Sequence, residues 1–190
     1  PVQKRREMIN AYRNVKKPEG EAWEQCMEYP LLTYTDGAEV KQVVLPASAA
    51  SYEVQIRRIT ETDLPEVLRE RMREGGCAGI VVNTVKKAQR LQEQLRDMMP
   101  GFDIMLFHSQ FLQPDRAEIE KTLLARLGKK SDKVQRDRLI VVGTQVLEQS
   151  LDIDFDFMVT ELCPMDLILQ RVGRLHRHKN RTWRPESLQQ

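Results

Sequence analysis

LIVVG, residues 139–143, is apolar at every position. A strand with one wet face alternates polar and apolar residues, so a strand with no polar side chain is covered on both faces. Three further stretches share this character: AGIVVN (78–83), DIMLF (103–107) and DFMVT (156–160). Helical patterns lie between and around them. TDLPEVLRERMREG (62–75) opens with Thr62 or Asp63 as a cap and closes at Gly75-Gly76. TVKKAQRLQEQLRDMM (84–99) is amphipathic and is closed by Pro100-Gly101. QPDRAEIEKTLLARLG (113–128) and PMDLILQRVGRLHRH (164–178) each carry proline near the start. Doubly buried strands alternating with helices predict an α/β fold, an open, mainly parallel sheet covered by helices. In such sheets ligands bind beyond the carboxyl ends of the strands. The loops to watch are therefore Asn83-Thr84, His108 to Phe111, Gly143 to Gln149, and the turn before the last helix.

The first 50 residues read differently. Residues 1–15 form a short basic helix with Met8, Ile9, Tyr12 and Val15 at helical spacing. Residues 16–40 are an irregular connector, with a short helix around Trp23 to Met27. KQVVLP (41–46) and YEVQIRRI (52–59) read as strands. The expected organisation is an irregular N-terminal extension over 1–50, a lobe over 51–178, and a tail over 179–190 with little to bury and open to disorder. GKKSDKVQRDR (128–138) is expected to be a solvated, mobile loop.

Apolar residues make up 41% and charged residues 31%, enough for a core and far from a membrane composition. No apolar run approaches a bilayer span, and the N-terminal stretch has no secretory h-region. Three cysteines, Cys26, Cys77 and Cys163, have no zinc spacing and no evident disulfide framework. The expected compartment is the cytoplasm, with no membrane partner. Net charge is only +2, but its distribution is uneven. Between Asp166 and Glu186 there is no acid, while Arg171, Arg174, Arg177, Lys179, Arg181 and Arg184 all fall there.

On a helix Arg171, Arg174 and Arg177 lie along one side, with Leu169, Val172 and Leu175 turned toward the sheet. Gly173 leaves room for a close backbone or a phosphate. Arginine's planar fork suits paired phosphate oxygens. The bland reading is a basic helix end facing its own dipole. A second stretch, VVGTQVLEQSLDIDFD (141–156), follows a buried strand. Gly143 allows a sharp turn, and Thr144 and Gln145 then stand where backbone N–H, hydroxyl and amide groups can meet a phosphate. Asp152, Asp154 and Asp156 alternate with Leu151, Ile153 and Phe155, which reads as plain strand patterning. The glycine and terminal glutamate of a calcium loop are missing, so no metal site is assigned.

In order along the chain, GIVVNTVKKAQ (79–89), LFHSQF (106–111), VGTQVLEQSLDIDFD (142–156) and QRVGRLHRH (170–178) resemble motifs IV to VI of superfamily 2 helicases. Their form is most similar to the CRISPR-associated helicase-nucleases of type I interference systems. Gln110 departs from the arginine expected in the second block. The resemblance implies the second RecA-like lobe of an ATP-dependent single-stranded DNA translocase. Arg174 and Arg177 are then the arginine fingers that reach the terminal phosphate of ATP. Gln170, Arg171 and Gly173 position that motif. Asp152 links the nucleotide cleft to the DNA side. Asn83, Thr84, His108, Thr144 and Gln145 contact the nucleic-acid backbone. The implied partners are a first helicase lobe, a nuclease domain, single-stranded DNA and a guide-RNA effector complex.

The sequence contains no G-x-x-x-x-G-K-[ST] cradle, no DEAD- or DEAH-type acidic box, and no adjacent His-Asp pair among His108, His176 and His178. ATP and Mg2+ are therefore expected to be held in the complete protein and not by this chain alone, which is expected to be inactive in isolation. Two other readings stay open: a nucleotide-independent nucleic-acid-binding module, and the lobe of a DEAD-box-like RNA helicase.

Overall fold

The computed structural model describes residues 2–14, 20–37, 39–46, 53–148, 151–178 and 181–188. The chain divides into two units, Pro1–Val54 and Gln55–Gln190. No helix of the described residues is long and apolar enough to cross a membrane.

The first unit holds helices α1 (Val2–Tyr12) and α2 (Ala22–Gln25) and a hairpin of β1 (Leu31–Thr35) and β2 (Val40–Val44). The strands pair antiparallel, Leu31 opposite Val44 and Thr35 opposite Val40. Buried Asn10 donates to Glu24 at 3.0 Å, and Gln42 donates to the Trp23 carbonyl at 2.9 Å. The irregular connector expected over 16–40 thus contains a strand, β1. Its alternation, Leu31-x-Thr33-x-Thr35 turned inward, is too short and too polar to stand out. Val15 lies outside the described residues.

The second unit contains α3 (Leu64–Arg71), β3 (Cys77–Val81), α4 (Val85–Met98), β4 (Asp103–Phe107), α5 (Gln113–Leu127), α6 (Lys133–Arg136), β5 (Leu139–Gly143), β6 (Phe157–Thr160) and α7 (Met165–Val172). The four strands form one sheet in the order β4-β5-β3-β6, every neighbouring pair parallel. Every residue of β3 and β5 is buried. The two-residue period of the strands sorts their side chains into two cores. Ala78, Ile80, Ile140 and Val142 pack against Leu64, Leu68, Leu91 and Leu95 of α3 and α4. Cys77, Val81, Leu139 and Val141 pack against Leu123 and Leu127 of α5, and against Leu151, Ile153 and Phe155. Gly79 points to this second side, where an added Cβ would stand 2.9 Å from the Phe155 ring. The predicted α/β architecture is the observed one.

Four expectations change. Residues 53–59 belong to no sheet, although their alternation suggested a strand. The segment 128–138 is exposed over most of its length, as expected, but it is not all loop: Asp132 and Gln135 form a capping box for α6, and Arg136 is fully buried. The last helix ends at Val172, so Arg174 and Arg177 lie beyond it, and Leu169 is 64% exposed instead of facing the sheet. Residues 181–188 are not a loose tail, because Arg181, Arg184 and Leu188 are buried and Ser187 donates to the Arg71 carbonyl at 3.0 Å. Lys179 lies outside the described residues.

Candidate functional site

The carboxyl ends of β3, β4, β5 and β6 carry the loops singled out by the sequence. After β3, the Asn83 backbone N–H donates to Glu161 at 2.7 Å and its side chain donates to the Leu162 carbonyl at 2.9 Å. Thr84 caps α4 by accepting from the Lys87 N–H at 3.3 Å. Both residues are exposed. The Asn83 N–H and the Lys87 ammonium hold the Glu161 carboxyl below the usual carboxylate range. After β5, Gly143 sits under the Phe107 carbonyl, which an added Cβ would approach to 2.4 Å. Close packing, not a special turn, fixes glycine there. Thr144 is buried and its N–H donates to Phe107, while half-buried Gln145 starts a single 3₁₀ turn, Gln145–Leu147. Gln149 lies outside the described residues.

His108 is also buried and stacks on Phe111 with ring centroids 4.2 Å apart. The Gln110 N–H donates to its Nδ1 at 3.3 Å, and Nε2 lies 3.3 Å from Gln89. Burial lowers its pKa below the ordinary histidine value. His108 and Thr144 therefore shape the edge from beneath, and neither presents a side chain to a strand passing over it.

The chain beyond α7 does not continue as a helix because it pairs with the segment leading into β6. The Phe155 N–H donates to Arg174 at 2.9 Å, the His176 N–H donates to Phe155 at 3.0 Å, and Leu175 bridges Phe155 in parallel. Gly173 caps α7 with ordinary helical angles, and a Cβ there would meet the Gln170 carbonyl at 3.2 Å. Only the carbonyls of its own preceding turn stand within 4 Å of that position, and Gly173 is exposed.

The three arginines have separate environments. Arg171 is 1% exposed; its Nε donates to Glu148 at 2.6 Å, and its Nη1 donates to Thr160 Oγ1 and to the Glu161 carbonyl. It braces the lobe and is shut off from a ligand. Half-buried Arg174 donates to the Glu148 carbonyl from Nη2 at 2.7 Å and from Nε at 3.3 Å. Burial lowers its pKa, and the nearby Arg177 charge lowers it further. Arg177 is exposed and donates from Nε to Asp152, itself exposed, at 2.7 Å. Arg177 and His178 hold the Asp152 carboxyl below its ordinary value. Gln170 is exposed on the last turn of α7.

A second charged group lies near the amino ends of the strands, and the sequence reading did not identify it. Asp154 and Asp156, read as plain strand patterning, are 0% and 3% exposed. Asp154 lies 2.9 Å from Arg181 Nε as an ion pair and accepts a hydrogen bond from Arg184 Nη2 at 2.6 Å. Asp156 accepts from Arg136 Nη2 at 2.7 Å, from Arg184 Nη1, and from the Cys77 N–H at 3.0 Å. Trp183 covers the guanidinium groups of Arg136 and Arg181 at 5.8 and 5.4 Å. Burial of Cys77, and after it the nearby Asp156 charge, raises that thiol's pKa, and its buried sulfur is no nucleophile. The available signal was the acid-free run of arginines after Asp166, which needed carboxylate partners from elsewhere in the chain.

Among the described residues no group of three or more His, Cys, Asp or Glu side chains could hold a metal ion. The carboxylates nearest the arginines, Glu148, Asp152, Asp154 and Asp156, already pair with them.

A family profile described as "CRISPR-associated nuclease/helicase Cas3, C-terminal" matches residues 74–180. The Cas3 nuclease/helicase of Streptococcus thermophilus is 41% identical over 184 residues, covering 94% of this chain and 20% of that protein. The Escherichia coli K12 Cas3 endonuclease/helicase is 43% identical over 129 residues, covering 64% of this chain and 14% of that protein. Among solved structures, T. fusca Cas3 with AMPPNP matches with a TM-score of 0.76 and 28% identity, over 96% of this chain and 23% of the other. A CRISPR RNA-guided surveillance complex described as pre-nicking contains a chain matching with a TM-score of 0.71 and 27% identity, over 96% of this chain and 24% of the other. The chain spans about a fifth of the length of the S. thermophilus relative.

Proposed function

This chain belongs to the C-terminal family of the CRISPR-associated nuclease/helicase Cas3, and we propose that it serves as the second motor lobe of an ATP-driven single-stranded DNA translocase. One observation carries the reading. The Arg177 charge lies close enough to Arg174 to act on it, and Arg177 faces solvent on an exposed carboxylate. Two like charges held together favour an anion between or beside them. An exposed ion pair is weak, so a terminal phosphate can displace Asp152 from Arg177 at little cost.

Bound ATP supplies the phosphoryl group to be transferred. On this lobe Arg177 and Arg174 neutralise charge developing on that group, the role of arginine fingers. Arg171 and Gln170 set the position of the segment bearing them. Asp152 holds Arg177 when no phosphate is present and couples it to the segment 144–156. The phosphate cradle and Mg2+ belong to a first lobe in this reading, supported by the lack of a cradle motif in this sequence and of a metal-holding cluster among the described residues.

Asn83, Thr84 and Gln145 contact the strand backbone, a mode that tracks phosphates and reads little sequence. Partners are the first lobe, a nuclease domain and a guide-RNA effector complex, in the cytoplasm. The matched surveillance complex supports the last partner.

The test is DNA-stimulated ATP hydrolysis by a full-length family protein carrying this lobe. Arg174→Ala and Arg177→Ala are each expected to lower kcat by roughly 10³–10⁵. Activity retained within a few-fold in both variants sinks the finger assignment. This chain alone is expected to show no ATP turnover.

A further inference from the structure

We propose that Glu148 is the positioning residue for Arg174. The proposal rests on the phosphate-contacting role given to Arg174 above. Glu148 follows the single turn Gln145–Leu147 and is 3% exposed. It acts through two different groups. Its carboxylate Oε1 accepts from Arg171 Nε at 2.6 Å, and its backbone carbonyl accepts from Arg174 Nη2 at 2.7 Å and from Nε at 3.3 Å. Arg171 is in turn fastened to the carboxyl end of β6 through Thr160 and the Glu161 carbonyl. A continuous chain of contacts thus runs from the sheet, through Arg171 and the Glu148 side chain, to the carbonyl that grips one edge of the Arg174 guanidinium. That grip holds one edge of the fork through both Nη2 and Nε.

Stability alone does not account for this arrangement. A buried ion pair is often no more stabilising than apolar side chains of the same volume. Here Glu148 Oε2 and Arg171 Nη2 are also buried without a hydrogen-bond partner. Such orphan atoms are a cost that apolar packing avoids. What the pair provides instead is direction. The charge-assisted bond fixes where residue 148 sits, and so where its carbonyl points. A misplacement of about 1 Å in a catalytic group lowers rates by roughly a hundredfold.

The experiment uses full-length family protein carrying this lobe, with DNA-stimulated ATP hydrolysis resolved into kcat and KM and melting temperature recorded in parallel. Glu148→Gln keeps the shape and removes the charge. It is expected to lower kcat roughly 10- to 100-fold with little change in KM for ATP. Combining it with Arg174→Ala is expected to give the kcat of Arg174→Ala alone, because nothing is left to position. The paired variant Glu148→Ala with Arg171→Met removes both buried charges together. It is expected to melt near the parent temperature and still show the kcat loss, which a purely structural role would not give.

Losses that multiply in the Glu148/Arg174 double variant, or parental kcat in Glu148→Gln, overturn the proposal. If Arg174→Ala alone leaves kcat unchanged, the finger reading fails first and this proposal falls with it. That outcome is distinct, because it appears in the single Arg174 variant.

Discussion

Replacing Asp154 with alanine tests how the segment 181–188 is held. In the native lobe Asp154 is fully buried. Its Oδ2 pairs with Arg181 at 2.9 Å and accepts from Arg184 at 2.6 Å, and its Oδ1 accepts the Arg177 N–H at 3.0 Å. Removing it leaves Arg136, Arg181 and Arg184 gathered around Asp156 alone. Breaking a buried pair in this way costs about 3–5 kcal/mol, because charge is left uncompensated away from water. At about 2–4 °C per kcal/mol for a domain of this size, the melting temperature is expected to fall by about 6–20 °C. Asp152→Ala, two residues away, is the control. Its pair with Arg177 is exposed on both sides and is worth about 0–1 kcal/mol, a shift of at most about 4 °C. Thermal melts followed by circular dichroism measure both. Trypsin digestion adds a local readout, since release of Arg181 exposes the Arg181–Thr182 bond in Asp154→Ala first. Added salt should erase the small Asp152 effect and leave the large Asp154 effect standing. Equal shifts in the two variants, or a protease-resistant 181–188 segment in Asp154→Ala, refute the reasoning.

Other outcomes follow from the same geometry. His108 is kept neutral by burial, with a folded pKa below the unfolded value of 6.5. The unfolded chain therefore takes up protons first as pH falls through 6.5, and stability present above that value is lost toward the lower folded pKa. His108→Gln is expected to flatten the fall in melting temperature between about pH 7.5 and 5.5; an unchanged slope refutes this. Gly143→Ala drives a methyl to 2.4 Å from the Phe107 carbonyl and 2.7 Å from Leu147, so β4 and β5 must separate locally. A loss of about 1–3 kcal/mol in urea unfolding is expected, and none if the edge is loosely packed. Gly173→Ala meets only its own helix carbonyls, at 3.2 and 3.4 Å. It is expected to leave the melting temperature within about 2–4 °C of the parent, and a larger fall refutes the assignment of Gly173 as an ordinary helix end.

The fold was legible because burial on two faces is written in local composition. LIVVG and AGIVVN admit no wet face, and helical periods between such strands leave few arrangements other than a covered parallel sheet. The ordered blocks from Gly79 to His178 pointed to the motor-lobe family for a related reason, since motif spacing survives as a linear string. The environments of the arginines were not legible. A three-residue spacing suggested one helical stripe, yet pairing between Phe155 and the 174–176 segment ends the helix at Val172 and gives Arg171, Arg174 and Arg177 different partners. Asp152, Asp154 and Asp156 look alike in sequence, but one is open to solvent and two are sealed among arginines from 136, 181 and 184. The periodicity of a strand or helix is a short-range property, fixed by backbone geometry over a few residues. Which charge meets which is decided by contacts between segments distant in sequence, and those exist only once the sheet has brought them together.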